Sequence, residues 1–235
     1  MALGTEKFAN YQRNGSIQIF VWDLLVRIGH WLLVLFFFVA YFTEDDLLTI
    51  HSWAGYGVGV YVVIRVIWGF VGPKHARFAD FAYGPAKAVR YLKDLMLFKA
   101  KRYVGHSPAG GLMVFALLIS LAATAVTGTA LLAVQENAGP LAPWLGRGAA
   151  PEGTTKGLSL FAAPARASQD EDERENDDDS SGDKKGGEAL EEIHEFFSNL
   201  TLLLIIIHIA GVVLVSVLHK ENLVRAMVTG RKRSQ

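Results

Sequence analysis

The chain has 235 residues, 51% of them hydrophobic, and its 23 Lys and Arg balance its 23 Asp and Glu. Four apolar runs reach the length of about 20 residues that a membrane-spanning helix needs, which argues against a soluble domain. The sequence contains no cysteine. This excludes disulfides, iron–sulfur ligation by this chain and covalent haem attachment through a Cys-x-x-Cys-His motif.

The four apolar runs predict transmembrane helices at about 17–42, 50–71, 110–134 and 196–218. Because backbone polar groups must be satisfied internally in lipid, the runs predict an all-α membrane protein. We expect a single domain over residues 1–235, built as a four-transmembrane-helix bundle. Residues 138–188 are rich in Gly, Pro and Ala and then become acidic. They predict a flexible external acidic insert between the third and fourth spans.

Charge is distributed unevenly along the chain. Residues 72–107 carry eight Lys and Arg against two acids, and residues 220–235 carry five against one. The 43–49 link has three acids and no base, and the 135–192 link has fourteen acids against six bases. Lys and Arg are enriched in cytoplasmic loops. Both termini and residues 72–107 are therefore predicted to be cytoplasmic, and both acidic links external.

Residues 78–97 have a helical amphipathic pattern. One side of the helix can present the apolar residues Val89, Leu92, Leu95 and Met96. The other side can present the polar residues Lys87, Arg90, Lys93 and Asp94. This pattern predicts an interfacial helix on the cytoplasmic leaflet, with a basic face that is solvated or meets lipid headgroups. Further along, Ser107 followed by Pro108 predicts the N-cap and first residue of the third span.

Four histidines lie in or at the ends of the apolar runs, namely His30, His51, His194 and His208. An ionisable residue in hydrocarbon is costly, so each is a candidate functional residue. The charge-based topology pairs them by depth: His51 with His194 on the external side, and His30 with His208 in the cytoplasmic half. Each pair could supply both axial ligands of one haem iron, which suits one-electron transfer. His194 and His208 are 14 residues apart, or roughly 21 Å of helix rise.

Other residues could complete these sites. Gly55 and Gly59 follow His51 at helical spacing and could leave a groove for a flat macrocycle. Arg65 is expected near the depth of the inner pair, where a haem propionate is a plausible partner for a buried cation. Arg27, one turn before His30, could serve similarly. As alternatives, the glycines could serve helix packing and Arg27 could snorkel to the surface.

Three further histidines, His75, His106 and His219, fall outside these pairs. His75 and His106 have no depth-matched partner and are expected to be surface or capping residues. His219 lies near the cytoplasmic surface, where it is either an interfacial residue or a proton acceptor beside a quinone site.

Several sequence strings, taken together, resemble the prokaryotic cytochrome b561 family, which groups with the cytochrome b subunits of nickel–iron hydrogenases. They are VWD at 21–23, RIGHW at 27–31, HSWAGY at 51–56, RVIWGF at 65–70, GPKHARF at 72–78, GHSPAGG at 105–111 and HKENLVRAM at 219–227. The resemblance covers nearly the whole chain except about 139–187. The long acidic insert departs from the compact pattern of the family.

The resemblance implies a membrane bundle in the bacterial inner membrane that holds two b-type haems. The ligands it implies are those paired above: His30, His51, His194 and His208. It also implies electron transfer between a quinone pool and a redox partner such as a hydrogenase, another periplasmic dehydrogenase or a c-type cytochrome. Membrane lipid is a further expected partner, nucleic acid is not, and the oligomeric state is left open.

Two other functions are compatible with the residues. One is a superoxide oxidase that reduces quinone, which would need a basic external funnel to attract an anion. The acidic exterior argues against it. The other is a haem-free, His-lined pathway for protons or metal ions.

Overall fold

The computed structural model describes residues 11–13, 16–44, 47–146 and 180–234. Its helices are α1 (Leu24–Phe42), α2 (Leu48–Val71), α3 (Phe78–Phe81), α4 (Pro85–Met96), α5 (Pro108–Glu136), α6 (Ala142–Leu145), α7 (Ser180–Leu218) and α8 (Leu223–Thr229). Three short strands accompany them, β1 (Tyr11–Arg13), β2 (Ser16–Phe20) and β3 (Arg231–Arg233).

Four helices are long and apolar enough to cross a membrane: α1, α2, α5 and the Gly186–Leu218 part of α7. The prediction of an all-α, four-span membrane bundle is therefore confirmed. The predicted boundaries differ at two spans, because α1 begins at Leu24, after a strand, and α7 begins at Ser180 rather than near 196. Most of the expected external insert, residues 147–179, lies outside the described residues.

A three-stranded antiparallel sheet joins the two ends of the chain, in the order β1-β2-β3. In its register Gln18 pairs with both Tyr11 and Arg233. Gly230 adopts a left-handed φ of 77° at the end of α8, a conformation that glycine adopts without steric cost. Its carbonyl accepts hydrogen bonds from the backbone N–H groups of Val21 and Trp22. The sheet was not predicted, because β2 and β3 are more than 200 residues apart in sequence.

The described residues fall into two compact units. The first takes its residues from Met1–Leu35, Val60–Ile119 and Leu202–Gln235, and the second from Phe36–Gly59 and Ser120–Thr201. Each long helix contributes one segment to each unit. We describe the two units separately.

In the first unit, Glu221 links three parts of the chain. Its carboxylate accepts hydrogen bonds from the Nη2 and Nε atoms of Arg102, at 2.9 and 3.2 Å, and from the backbone N–H of Arg233 at 3.0 Å. Lys232 Nζ lies 3.8 Å away. Burial raises the pKa of Glu221, but the Arg102 hydrogen bonds and the Lys232 charge outweigh burial and hold it below its usual value. Glu221 is therefore ionised and fastens α7 and α8 to the end of the sheet.

His106 was expected to be a surface or capping residue, and the structure shows it half-buried against aromatic rings instead. Its ring packs against Trp22 and Phe81, with ring centres 4.7 and 4.3 Å away. Its Nδ1 atom is buried and has no hydrogen-bond partner among the described residues. The adjacent prediction is confirmed: α5 begins at Pro108, and Ser107 Oγ accepts the backbone N–H of Gly110 at 3.1 Å. The aromatic neighbours that bury His106 are remote in sequence, so local spacing did not reveal them.

The burial of His106 predicts acid sensitivity. Burial first, and then the positive charges of Arg65 and Lys232, lower the pKa of His106 to about 3. Below its unfolded pKa of about 6.5 the unfolded chain binds a proton that the folded chain does not. We expect this residue to remove up to about 1.4 kcal/mol of stability per pH unit between about 6.5 and 3. The loss would be measured as the decrease in melting temperature between pH 7.5 and 4.5. His106→Phe should make the melting temperature less dependent on pH. An unchanged pH dependence in that variant would contradict the role of His106 in acid sensitivity.

In the second unit, α5 and α7 meet through buried hydroxyl groups. Ser120 Oγ and Thr201 Oγ1 are 2.7 Å apart, and both residues are almost fully buried. Thr124 Oγ1 lies 3.4 Å from Thr201 Oγ1. Polar contacts between small residues are typical of helix pairs in membranes. They hold α5 and α7 close together beside His194.

Candidate functional site

In the second unit, His51 of α2 and His194 of α7 face each other. Their ring centres are 6.0 Å apart, with the ring planes 74° apart. His51 Nδ1 lies 2.9 Å from the carbonyl oxygen of Ala40, so Nδ1 carries the proton and donates it. His194 Nδ1 lies 3.1 Å from the Thr124 carbonyl oxygen and 3.1 Å from Thr127 Oγ1. In the neutral form of each ring, this hydrogen bond leaves Nε2 as the nitrogen that could bind a metal.

Gly128 of α5 lies against the His194 ring. A Cβ atom at this position would come within 2.7 Å of His194 Cε1. On the same helix, the Thr127 hydroxyl contacts the imidazole and Gly128 leaves room for it. These contributions of α5 were not predicted, because they depend on how α5 meets α7.

The two glycines expected to form a groove, Gly55 and Gly59, have different surroundings. A Cβ atom at Gly55, one turn after His51, would meet nothing within 4 Å. A Cβ atom at Gly59 would make an ordinary contact of 3.5 Å with Ala125 Cβ. Open space beside His51 is therefore present at Gly55, whereas Gly59 serves helix packing.

In the first unit, His30 of α1 and His208 of α7 form the other pair. Their ring centres are 6.4 Å apart, and the ring planes are inclined by 45°. His30 also makes an edge contact with the neighbouring ring of Trp31, at 5.3 Å. His30 Nδ1 is buried and has no hydrogen-bond partner among the described residues. A buried nitrogen without a partner is costly, which is the expected signature of a ligand or binding site.

Arg65 of α2 is buried in the same unit, with 5% of its surface exposed. Its guanidinium carbon lies 5.2 Å from the ring centre of Phe78 and 5.9 Å from that of Phe81. These cation–π contacts stabilise the charge in part. Its Nη1 atom has no hydrogen-bond partner among the described residues. Arg65 therefore keeps a donor available for an anionic group.

Arg27 has a partner within the protein. Its Nη2 atom donates a hydrogen bond to the carbonyl oxygen of Val228 in α8. This contact ties the first span to the C-terminal helix. Both arginines suggested from sequence as anion partners keep a buried guanidinium nitrogen without a hydrogen-bond partner among the described residues, Nε in Arg27 and Nη1 in Arg65.

The spacing of both histidine pairs suits a shared metal ion. An ion held by one imidazole nitrogen on each side, at about 2.0–2.1 Å, places the two ring centres roughly 6 Å apart. The observed distances are 6.0 and 6.4 Å. In the part of the chain that the structure describes, no group of three or more His, Cys, Asp or Glu side chains could hold a metal ion. Each pair thus offers two imidazole ligands and would hold a group that supplies its remaining metal donors itself.

Four apolar helices define a class of protein, a multi-pass integral membrane protein. Within the described residues, two half-buried histidine pairs could each contribute ligands to a metal-containing group. The model of the family described as prokaryotic cytochrome b561 matches residues 21–230. The chain belongs to this family. The family is one of membrane b-type cytochromes, so it implies haem b as the cofactor.

The chain is also similar to curated proteins named probable Ni/Fe-hydrogenase B-type cytochrome subunit. It is 28% identical to that of Rhizobium leguminosarum bv. viciae over 143 residues, which cover 48% of this chain and 59% of the relative. It is 30% identical to that of Azotobacter vinelandii over 145 residues, which cover 49% and 60% respectively. The matched region is therefore about three fifths of the length of these relatives. No solved structure matches the chain significantly.

The residues present fit haem b. Each pair offers two imidazoles at a separation suited to axial ligation, and Gly55 leaves open space beside His51. Arg65 offers an unpaired buried donor that a propionate would satisfy. The carbonyl groups of Ala40 and Thr124 fix the ring orientation of His51 and His194, as outer hydrogen-bond partners do at metal sites.

Gly128→Val should disturb the His194 site. The new side chain would overlap the imidazole, where even a Cβ atom comes within 2.7 Å, so the ring must leave its position. We expect the haem content of the purified protein to fall by about half. Gly59→Ala is the matched control, because its Cβ makes only an ordinary contact of 3.5 Å. Equal haem content in both variants would contradict the role of Gly128.

Proposed function

We propose that the protein carries electrons between a quinone pool and a periplasmic redox partner through two bis-histidine haems. The proposed ligand pairs are His51 with His194 and His30 with His208. The observation that supports this most directly is the separation of the ring centres, 6.0 and 6.4 Å. When bound, haem b supplies reversible one-electron chemistry at each pair.

The protein side chains act by holding and orienting the ligands. His51 and His194 each donate Nδ1–H to a helix carbonyl, so both rings keep one tautomer and one orientation. If each histidine pair holds one haem, its two imidazoles would leave the iron no ligand position for oxygen. Fixed ligands also limit the rearrangement that accompanies each electron transfer. These features favour a carrier over an oxygen-activating enzyme.

The charge pattern supports a direction for the chain in the membrane. The Lys and Arg excess in residues 72–107 and 220–235 favours a cytoplasmic position for these segments and both termini. The His51/His194 pair would then serve the periplasmic side and the His30/His208 pair the cytoplasmic half. The inner membrane of a bacterium is the location consistent with this arrangement.

His219 is the proposed proton acceptor at a quinone site. Burial first, and then the charges of Arg102 and Lys232, lower its pKa despite the opposing effect of Glu221, so its imidazole is neutral at pH 7. Its Nε2 atom is buried without a hydrogen-bond partner among the described residues. A neutral imidazole with an unoccupied nitrogen can accept a proton when a quinol is oxidised.

The proposed partner is a redox enzyme of the hydrogenase type, because the relatives are named as hydrogenase cytochrome subunits. A superoxide oxidase is disfavoured by the exposed carboxylates at the start of the fourth span, Glu188, Glu191, Glu192 and Glu195. They would repel superoxide rather than attract it.

Quinol oxidation by the reconstituted protein tests the proposal. The full chain in liposomes is mixed anaerobically with a soluble ubiquinol analogue, and the absorption band of reduced b-type haem is followed. We expect rapid reduction, with His219→Ala slowing it while leaving the haem content unchanged. If dithionite reduces the haem but the quinol does not, a quinone-linked carrier is ruled out.

A further inference from the structure

Helix α4 has a second apolar face in addition to the one that it buries. Ala88, Tyr91 and Leu95 are the buried residues of the helix. Val89, Leu92 and Met96 follow the i, i+3, i+7 spacing of another stripe, about a quarter-turn away. All three are exposed, Met96 by 77%.

The exposed stripe continues beyond the end of α4. Leu97 and Phe98 are also exposed, Phe98 by 72%. Phe98 has a φ of 57°, so the chain turns sharply at this residue. Five large apolar side chains are thus exposed along one short segment of the first unit. Exposed apolar patches of this kind mark interaction sites.

Basic side chains border the apolar stripe. Arg90 and Lys93 are exposed and one turn apart, beside Val89, Leu92 and Met96. Within the described residues, neither side chain makes a hydrogen bond or an ion pair. A helix that combines an exposed apolar stripe with flanking basic residues is suited to lie in a membrane interface.

The position of α4 in the chain brings it to the membrane surface. It lies between α2, a span that ends at Val71, and α5, a span that begins at Pro108. Both ends of the intervening segment must therefore meet the same side of the bilayer. We propose that α4 is a binding site for anionic phospholipid, with Arg90 and Lys93 on the headgroup phosphate and Val89, Leu92 and Met96 among the acyl chains.

Lipid titration followed by native mass spectrometry tests the site. The detergent-solubilised holoprotein is titrated with phosphatidylglycerol, with phosphatidylcholine as the neutral reference. Each basic residue near an anionic surface contributes about fivefold in affinity. Arg90→Gln/Lys93→Gln should therefore raise the phosphatidylglycerol concentration for half-occupancy by about 25-fold and leave phosphatidylcholine unchanged.

Lys99→Gln/Lys101→Gln is the matched control, because it removes the same charge from exposed positions just beyond α4. We expect it to change half-occupancy by less than about twofold, since its charges lie off the helix. An equal loss in both double variants would show a general charge effect and overturn the site. No loss in Arg90→Gln/Lys93→Gln would overturn it as well.

A single-cysteine label distinguishes lipid from a soluble partner on this face. The natural chain has no cysteine, so Leu92→Cys and Lys87→Cys each give one labelling site, on opposite sides of α4. In lipid nanodiscs, an environment-sensitive dye at position 92 should show blue-shifted emission and quenching by a lipid-borne quencher, while the dye at position 87 stays aqueous. An aqueous signal at position 92 would overturn the proposal.

Discussion

His208→Ala should lower the haem content of the purified protein from two haems per chain to one. The substitution removes one of the two imidazoles at the His30/His208 pair, whose ring centres are 6.4 Å apart. The His51/His194 pair keeps its own hydrogen bonds to Ala40 and Thr124. The ratio of haem to protein, from the pyridine haemochrome spectrum and quantitative amino-acid analysis, measures the effect.

His75→Ala is the matched control for His208→Ala. His75 lies outside the spans and pairs with Asp80 at 3.0 Å rather than with another histidine. We expect this variant to keep both haems. Retention of both haems by His208→Ala would refute the assignment of His208 as a ligand. Equal loss in the two variants would show that the loss is not specific to the pair.

Glu221→Gln should be the most destabilising substitution outside the haem sites. Its carboxylate receives two hydrogen bonds from Arg102 and lies 3.8 Å from Lys232. The side chain of Lys232 is only 5% exposed, so loss of the negative charge leaves a buried cation without a counter-charge, although Nζ still donates a hydrogen bond to the Tyr103 carbonyl oxygen at 3.1 Å. Breaking such a pair costs about 3–5 kcal/mol when fully buried. A decrease in Tm of about 5–10 °C is expected in detergent.

Glu192→Gln removes an equal charge from an exposed position on α7. Its Tm should stay within about 2 °C of the natural protein, because exposed charges contribute little. The double variant Arg102→Gln/Glu221→Gln should lose less unfolding free energy than the sum of the losses in the two single variants, because the two side chains interact directly. Strict additivity, or a Tm of Glu221→Gln that matches the control, would contradict the network.

The spans and the pairing of the histidines by depth could be predicted from the sequence. Long apolar runs define membrane helices by length alone, and the bias of Lys and Arg gives each helix a direction. Together these assign a depth to every residue, so His51 could be matched with His194, and His30 with His208, without any tertiary information. The structure brings the same rings to 6.0 and 6.4 Å.

Features that depend on contacts between remote segments could not be predicted in the same way. The sheet pairs residues 16–20 with residues 231–233, and no local pattern encodes such a pairing. His106 lies after a polar, turn-like stretch of sequence, which predicted a surface position. In the structure Trp22 and Phe81 pack against its ring instead. The contact of Gly128 with the His194 ring depends on how α5 meets α7, which no local pattern encodes.

The most direct test of the account is the haem stoichiometry of the purified full-length chain, combined with its electron paramagnetic resonance spectrum in the oxidised state. Two bis-histidine sites predict two haems b per chain, both with low-spin signals. One haem per chain, a high-spin signal from a site with an open axial position, or the absence of b-type haem would contradict the proposed pairing of His51 with His194 and His30 with His208.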